Sequence, residues 1–234
     1  MDLTCKNSDF NFYSRHVSVF FKIIHYFCQK ILFTMTNFKF IILGIISLMA
    51  SCTISAEVLP TPQTTGGQPL MKVMSERKSS RDYQENQTVT KQDLSNMLWA
   101  AWGVTHEGKR TIATAMNRQE LVLYVVTPTE VSRYNAEANT LTVINTGDFR
   151  KLAGMQEFAF IAPINIVLAV DTDKQGMPEF QAYTAGAASQ NIYLYCAQAG
   201  LKTVVRAGFD REKLPQVLKL PSNERILFVQ TVGK

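Results

Sequence analysis

Three features of the sequence predict an α+β domain built on a mixed or antiparallel sheet. The runs "ELVLYVVT" (120–127), "INIVLAVD" (164–171) and "RILFVQTV" (225–232) have the length and β-branching of buried strands. The stretch "EFQAYTAGAASQNIYLYCAQAGL" (179–201) reads as one long helix, with Gly200 as the residue that ends it. Helices and strands mix without a regular βαβ rhythm, which argues against a doubly wound parallel sheet.

The chain opens with a segment of different character. Residues 1–56 carry few charges, and within them "MTNFKFIILGIISLMASC" starts at Met35 and has an apolar run from Phe40 to Met49. That run is too short for a membrane span and suits a signal-peptide core. Two processing outcomes stay open: lipidation at Cys52, after the small residues of a lipoprotein box, or ordinary cleavage after Ala56. Met35 is the expected start, with 1–34 as excess upstream sequence. The alternative is a longer N-terminal anchor built from "VSVFFKIIHYFCQKILF". Either way the protein is expected to be exported, as a periplasmic protein or a membrane-anchored lipoprotein. "AEVLPTPQTTGGQP" (56–69) then reads as an exposed linker, assigned to residues 57–68, and residues 69–234 form one domain.

Within that domain a short helix is expected over Leu70 to Glu76. Thr90 and Asp93 form a capping box for a second helix, whose apolar face holds Leu94, Met97, Leu98 and Ala101 and which stops near Gly103. After the strand at 120–127, "VSRYNAEANTLTVI" gives two strands around a turn. Gly147-Asp148 opens a helix running through "FRKLAGMQEF". The strand after Pro163, the long helix, a short strand "KTVVR", a helix from Asp210 to about Leu218 and the final strand complete the order.

Charge and residue counts exclude several functions. The whole chain is formally +5, but residues 57–234 hold 19 Lys and Arg against 17 Asp and Glu, a net of +2. A nucleic-acid surface is therefore not expected, and basic chemistry has to be local. Beyond residue 56 only Cys196 and His106 remain, too few for a disulfide or a Cys/His metal cluster. His106 lies in the polar loop "THEGKR", where solvation explains it. With no triad available, a bound cofactor becomes the attractive carrier of chemistry. No G-x-G-x-x-G follows a strand and no P-loop is present.

Three stretches could carry a ligand. "SERKSSRDY" (75–83) groups Arg77, Lys78 and Arg81 around Ser79 and Ser80. Guanidinium forks, an ammonium and a hydroxyl suit a phosphate monoester, although a solvated turn is the commoner origin of such a run. "TAMNRQE" (114–120) sets Thr114, Asn117 and Gln119 ahead of a strand, where carboxamides could face a heteroaromatic ring or simply cap a turn. "GAASQN" (186–191) allows close approach to a helix, and Gly208 before Phe209-Asp210 suggests a tight turn.

The order of these motifs resembles the FMN-dependent nitroreductase family over residues 69 to 234. It runs R-x-S-x-R-x-Y at 77–83, T-x-x-N-x-Q at 114–119, G-x-x-x-Q-N at 186–191 and G-F-D at 208–210. "YNAEANTLTVINTGDFRKLA" looks most like the azoline-dehydrogenase branch. The resemblance implies a nitroreductase-like fold, an intertwined homodimer, and FMN in two interface sites. Arg77, Lys78, Ser79 and Arg81 would bind the phosphate and ribityl chain. Thr114, Ala115, Asn117 and Gln119 would approach the ring from the partner subunit, the backbone of Ala207 and Gly208 would face its N5 edge, and Gln156 would make a weaker ring contact. The implied activity is two-step hydride transfer, from a small-molecule donor such as NAD(P)H to a nitroaromatic or quinone-like acceptor. Azoline oxidation in peptides and flavin binding without turnover are the alternatives. Ala113 stands where the family has proline, and "YTAGAASQN" lacks the acidic and histidine residues of azoline-oxidising members.

Overall fold

The structure is a computed structural model that describes residues 25–26, 29–30 and 56–234. The chain divides into two compact units, Met1–Thr53 and Ile54–Lys234. In the first, residues 25–26 and 29–30 are helical, and Lys30 sits over the Tyr26 ring. The predicted signal core and Cys52 lie outside the described residues. Among the described residues no helix is long and apolar enough to cross a membrane.

In the second unit the elements, in chain order, are β1 (Ala56–Val58), α1 (Leu70–Glu76), α2 (Lys91–Trp102), β2 (Leu121–Val126), β3 (Glu130–Asn135), β4 (Thr140–Thr146), α3 (Arg150–Ala153), α4 (Phe158–Ile161), β5 (Ile164–Asp171), α5 (Pro178–Ala199), β6 (Lys202–Arg206), α6 (Lys213–Val217) and β7 (Glu224–Gly233). The strands form one sheet in the order β1-β4-β3-β2-β5-β7-β6. Every described pairing is antiparallel.

The apolar strands follow from burial on both faces. Side chains alternate across a strand, so Leu121, Leu123, Val125, Ile166 and Leu168 pack with Met97, Leu98 and Ile192 of α2 and α5. Tyr124, Val126, Val167, Ala169 and Val229 point the other way, onto Phe209, Leu214 and Leu218. The predicted caps are in place. Thr90 Oγ1 accepts from Asp93 N at 3.0 Å, and Gly200 adopts the left-handed conformation (φ 69°) that closes α5.

Three expectations need correction. The helix predicted from Gly147 through Phe158 is broken into α3 and α4 at Gly154, whose backbone is extended. A Cβ there would lie 2.3 Å from Ala159 Cβ and 2.7 Å from the Arg206 guanidinium, so the break is a close packing of chain segments. The helix predicted from Asp210 starts only at Lys213, because the Asp210 carboxylate accepts from the amides of Glu212 and Lys213 and caps the turn. The 56–69 segment is not wholly a loose linker. Ala56–Val58 pair with Thr140–Thr142, Leu59 is buried, and Pro60 O accepts from Ser95 Oγ and Asn139 Nδ2.

Candidate functional site

The basic stretch at 77–81 leaves α1 and runs along the outer edge of β6. Strand β6 has β7 on one side only, so the other edge needs partners. Ser80 N donates to Thr203 O at 2.9 Å, and the Tyr193 hydroxyl accepts from Val205 N at 3.0 Å. Buried Tyr83 holds the arm's far end through Ser80 O at 3.0 Å and Thr231 O at 3.2 Å, and burial pushes its hydroxyl well above the ordinary tyrosine range. Arg77 lies over the Tyr193 ring, 5.3 Å from its centroid, and Ser79 Oγ is 2.8 Å from Tyr193 OH.

The charge balance of this arm points outward. Lys78, Ser79 and Arg81 are exposed and Arg77 is half-buried. The neighbouring acids are engaged elsewhere: Glu76 with Lys72 at 3.8 Å and Asp82 with Lys202 at 3.3 Å. Among the described residues none of Arg77, Lys78 and Arg81 has a carboxylate partner. Three cations and two hydroxyls within five residues thus lack an internal anion, the donor set a phosphate monoester requires.

At the other end of β6, Ala207 and Gly208 are exposed. Gly208 does not need positive φ, and a Cβ on it would meet nothing within 4 Å. The tight turn expected here therefore does not require glycine, and nothing in the chain's own packing does either. The turn is set by Arg206, which sequence reasoning missed. Its guanidinium donates to Gly208 O at 2.9 Å, to Ala153 O, to Asn165 Oδ1 at 2.6 Å and to Thr231 Oγ1 at 2.7 Å. Burial without a carboxylate lowers its pKa to about 10. By holding Ala153 and Gly208 together, Arg206 brings the exposed Gln156 loop beside the 207–208 turn. Only the β6–β7 pairing and the α3–α4 break reveal this role, and neither leaves a motif.

The third stretch, 114–119, is strained. Met116, Asn117 and Gln119 all have positive φ (54°, 54° and 49°), a conformation that asparagine adopts readily but that is uncommon for methionine and glutamine. Thr114 Oγ1 accepts from Gln119 N at 3.1 Å. The Gln119 carboxamide is engaged within its own chain: its oxygen accepts from Arg110 at 2.9 Å and its nitrogen donates to Asn117 Oδ1 at 3.2 Å. Gln119 thus orients Asn117, while Met116 is left exposed.

One chain does not bring all these residues together. Leu121, next to the strained loop, pairs with Val170, which pairs with Arg225, at one end of the sheet. Thr203, under the basic arm, pairs with Val232, which pairs with Ile164, at the opposite end. Arg77, Lys78, Ser79, Arg81, Ala207, Gly208 and Gln156 flank β6, whereas Thr114, Ala115, Asn117 and Gln119 enter from the far end of β2.

Comparison with known proteins gives a consistent picture. The profile of the Nitroreductase family matches residues 74–234. A candidate nitroreductase of Methanocaldococcus jannaschii is 30% identical over 183 residues, 70% of this chain and 90% of that protein. The crystal structure of a candidate nitroreductase from Ralstonia eutropha JMP134 has 35% identity and a TM-score of 0.71, covering 76% of this chain and 89% of that one. A candidate nitroreductase from Desulfovibrio desulfuricans, solved in complex with FMN, matches in fold at 18% identity and TM-score 0.51, over 72% of this chain and 87% of that one.

Proposed function

The chain belongs to the nitroreductase family, and from that premise we propose that it is an FMN-dependent oxidoreductase passing hydride from a small-molecule donor such as NAD(P)H to a nitroaromatic or quinone-like acceptor. The observation that carries the proposal is the basic arm: three cations with no carboxylate partner among the described residues, tied to a strand that ends at an exposed Ala207–Gly208 turn. When bound, FMN would supply the hydride-accepting and hydride-donating centre that the protein's own side chains lack.

The residues have separable tasks. Arg77 and Arg81 would clamp phosphate oxygens, with Lys78 as a point charge and Ser79 as a hydroxyl donor. The open face at Gly208 admits a flat ring against backbone, and Arg206 fixes the position of that backbone. Asn117, oriented by Gln119, would come from a second copy of the chain, since within one copy it lies at the other end of the sheet. A homodimer follows as part of the proposal, and exposed Leu70, Met71, Met74 and Met116 offer apolar surface for it.

Purified protein tests the reading directly. It should be yellow and release a flavin whose mass is that of FMN, and it should sediment as a dimer. Arg77→Ala and Arg81→Ala should each weaken FMN binding by about 1.5–3 kcal/mol, the loss of one charge-assisted bond. A colourless protein that cannot be reconstituted with FMN would sink the proposal. Export is proposed as well, and the mass of the mature N-terminal peptide distinguishes lipidated Cys52 from cleavage after Ala56.

A further inference from the structure

Tyr193, on α5, touches the edge of β6 and two of the residues assigned to the phosphate. Its oxygen accepts from Val205 N at 3.0 Å and lies 2.8 Å from Ser79 Oγ, while its ring carries the Arg77 guanidinium. The side chain is buried, and no motif in the sequence marks it.

The direction of these hydrogen bonds can be worked out. An amide N–H only donates, so Val205 uses a lone pair of the phenol. The phenol has one hydrogen of its own. Among the described residues the acceptor within reach of that hydrogen is Ser79 Oγ. Were Ser79 the donor instead, the hydrogen of a buried hydroxyl would be left without a partner, the costlier arrangement. Tyr193 therefore donates to Ser79, and the Ser79 hydrogen remains free to serve something outside the chain.

We infer that Tyr193 is the positioning residue of the phosphate arm, running a relay of donors from Val205 N–H through its own O–H to the outward Ser79 O–H. The inference rests on the reading of Arg77–Arg81 as the phosphate site. Hydrogen bonds aligned head to tail polarise one another, so the last hydroxyl becomes a better donor to an anion than an isolated serine. The arm borders an open pocket of about 310 Å³ that Lys78, Ser80, Tyr193, Gly200 and Lys202 help to line. The arm's ties to the sheet are the bonds from Ser80 N, from the Tyr83 hydroxyl to Ser80 O, and through Tyr193.

The test compares FMN with riboflavin, which has the same ring and ribityl chain without the phosphate. Flavin-free protein is titrated with each, and binding is followed by flavin fluorescence. Tyr193→Phe keeps the ring, and with it the Arg77 stack, but breaks the relay. It should lower FMN affinity about tenfold while riboflavin affinity stays within about twofold. Ser79→Ala, at an exposed position that does not threaten folding, should reproduce the selective loss. The double variant should add little, because both changes break one relay. Equal losses for the two flavins in Tyr193→Phe, or no loss for FMN in either single variant, would overturn the inference. Arg77→Ala separates the two levels. If it leaves the preference for FMN over riboflavin intact, the phosphate reading fails and the inference with it. If Arg77→Ala loses the preference and Tyr193→Phe and Ser79→Ala keep it, the inference alone falls.

Discussion

Replacing Arg206 should show how much of the site's geometry depends on one planar cation. The guanidinium reaches four acceptors on four segments: Ala153 O at the end of α3, Gly208 O in the turn, Asn165 Oδ1 on β5 and Thr231 Oγ1 on β7. In Arg206→Met these acceptors fare differently. Gly208 is exposed, so water replaces the lost donor. Asn165 Oδ1 keeps the Thr231 hydroxyl at 2.7 Å. Ala153, fully buried, has its carbonyl left alone. One orphaned carbonyl costs about 1–3 kcal/mol, and relief from holding a desolvated cation offsets part of the loss of the remaining bonds. The net expectation is a destabilisation of about 2 kcal/mol, a shift of about 1 M in urea midpoint at a typical slope for this size.

Arg206→Lys distinguishes charge from shape. An ammonium keeps the buried charge, but it cannot span Ala153 O and Asn165 Oδ1 as a fork does. The lysine variant should therefore be no more stable than the methionine variant. Urea unfolding of flavin-free protein, followed by the fluorescence of Trp99 and Trp102, measures both without ligand linkage. A lysine variant near the wild type beside a destabilised methionine variant would show that charge alone matters, and the fork argument would be refuted.

Other expectations follow from the same contacts. Gly154→Ala places a methyl group against Ala159 and the Arg206 guanidinium and should cost about 2–3 kcal/mol of stability in a thermal or urea melt. Gly208→Ala meets nothing in its own chain, so its melt should match the wild type while FMN affinity falls. Leu59→Ala, in the stretch after β1, should destabilise by about 2–4 kcal/mol, whereas a freely exposed linker residue would change nothing. High pH should unfold the domain. Burial raises the pKa of Tyr83 and Tyr124 beyond the ordinary range and that of Tyr134 and Tyr195 to about 12. Their stabilising contribution is whole below the unfolded value near 10 and is lost as pH rises through the folded values. Arg206, whose folded pKa of about 10 lies below its unfolded one, acts in the opposite sense, but one group opposes four. Tyrosinate absorbance should then appear together with loss of circular dichroism, and tyrosinate forming in a still-folded protein would contradict the burial argument.

What could be read from the sequence depended on how far away the cause of each feature lay. Strands β5 and β6 and helix α1 have the ends expected of them, because Pro163, Gly200 and Pro69 mark those ends locally. The capping box at Thr90 is equally local. The break at Gly154 was not legible in full, since the close packing there involves Ala159 and also Arg206, fifty-two positions on and brought there by the β6–β7 pairing. Strand β1 was hidden for the same reason: three residues ahead of a proline carry little strand signal, and their partner is the distant β4.

The site divides along the same line. The cations at 77–81 advertise themselves by composition, and the order of motifs singles out Asn117 and Gly208 as candidates. Neither Tyr193 nor Arg206 could be found that way, because each has meaning only at the edge or the end of a strand whose neighbours are set by topology. Topology also makes the strongest argument about assembly. The arm and the 114–119 loop lie at opposite ends of one antiparallel sheet, so rearranging side chains within a single copy cannot bring Asn117 to the end that carries the basic arm. If both belong to one flavin site, a second copy must supply one of them. A monomeric protein that still bound FMN with full affinity, and was indifferent to Asn117→Ala, would break that link while leaving the basic arm's role intact.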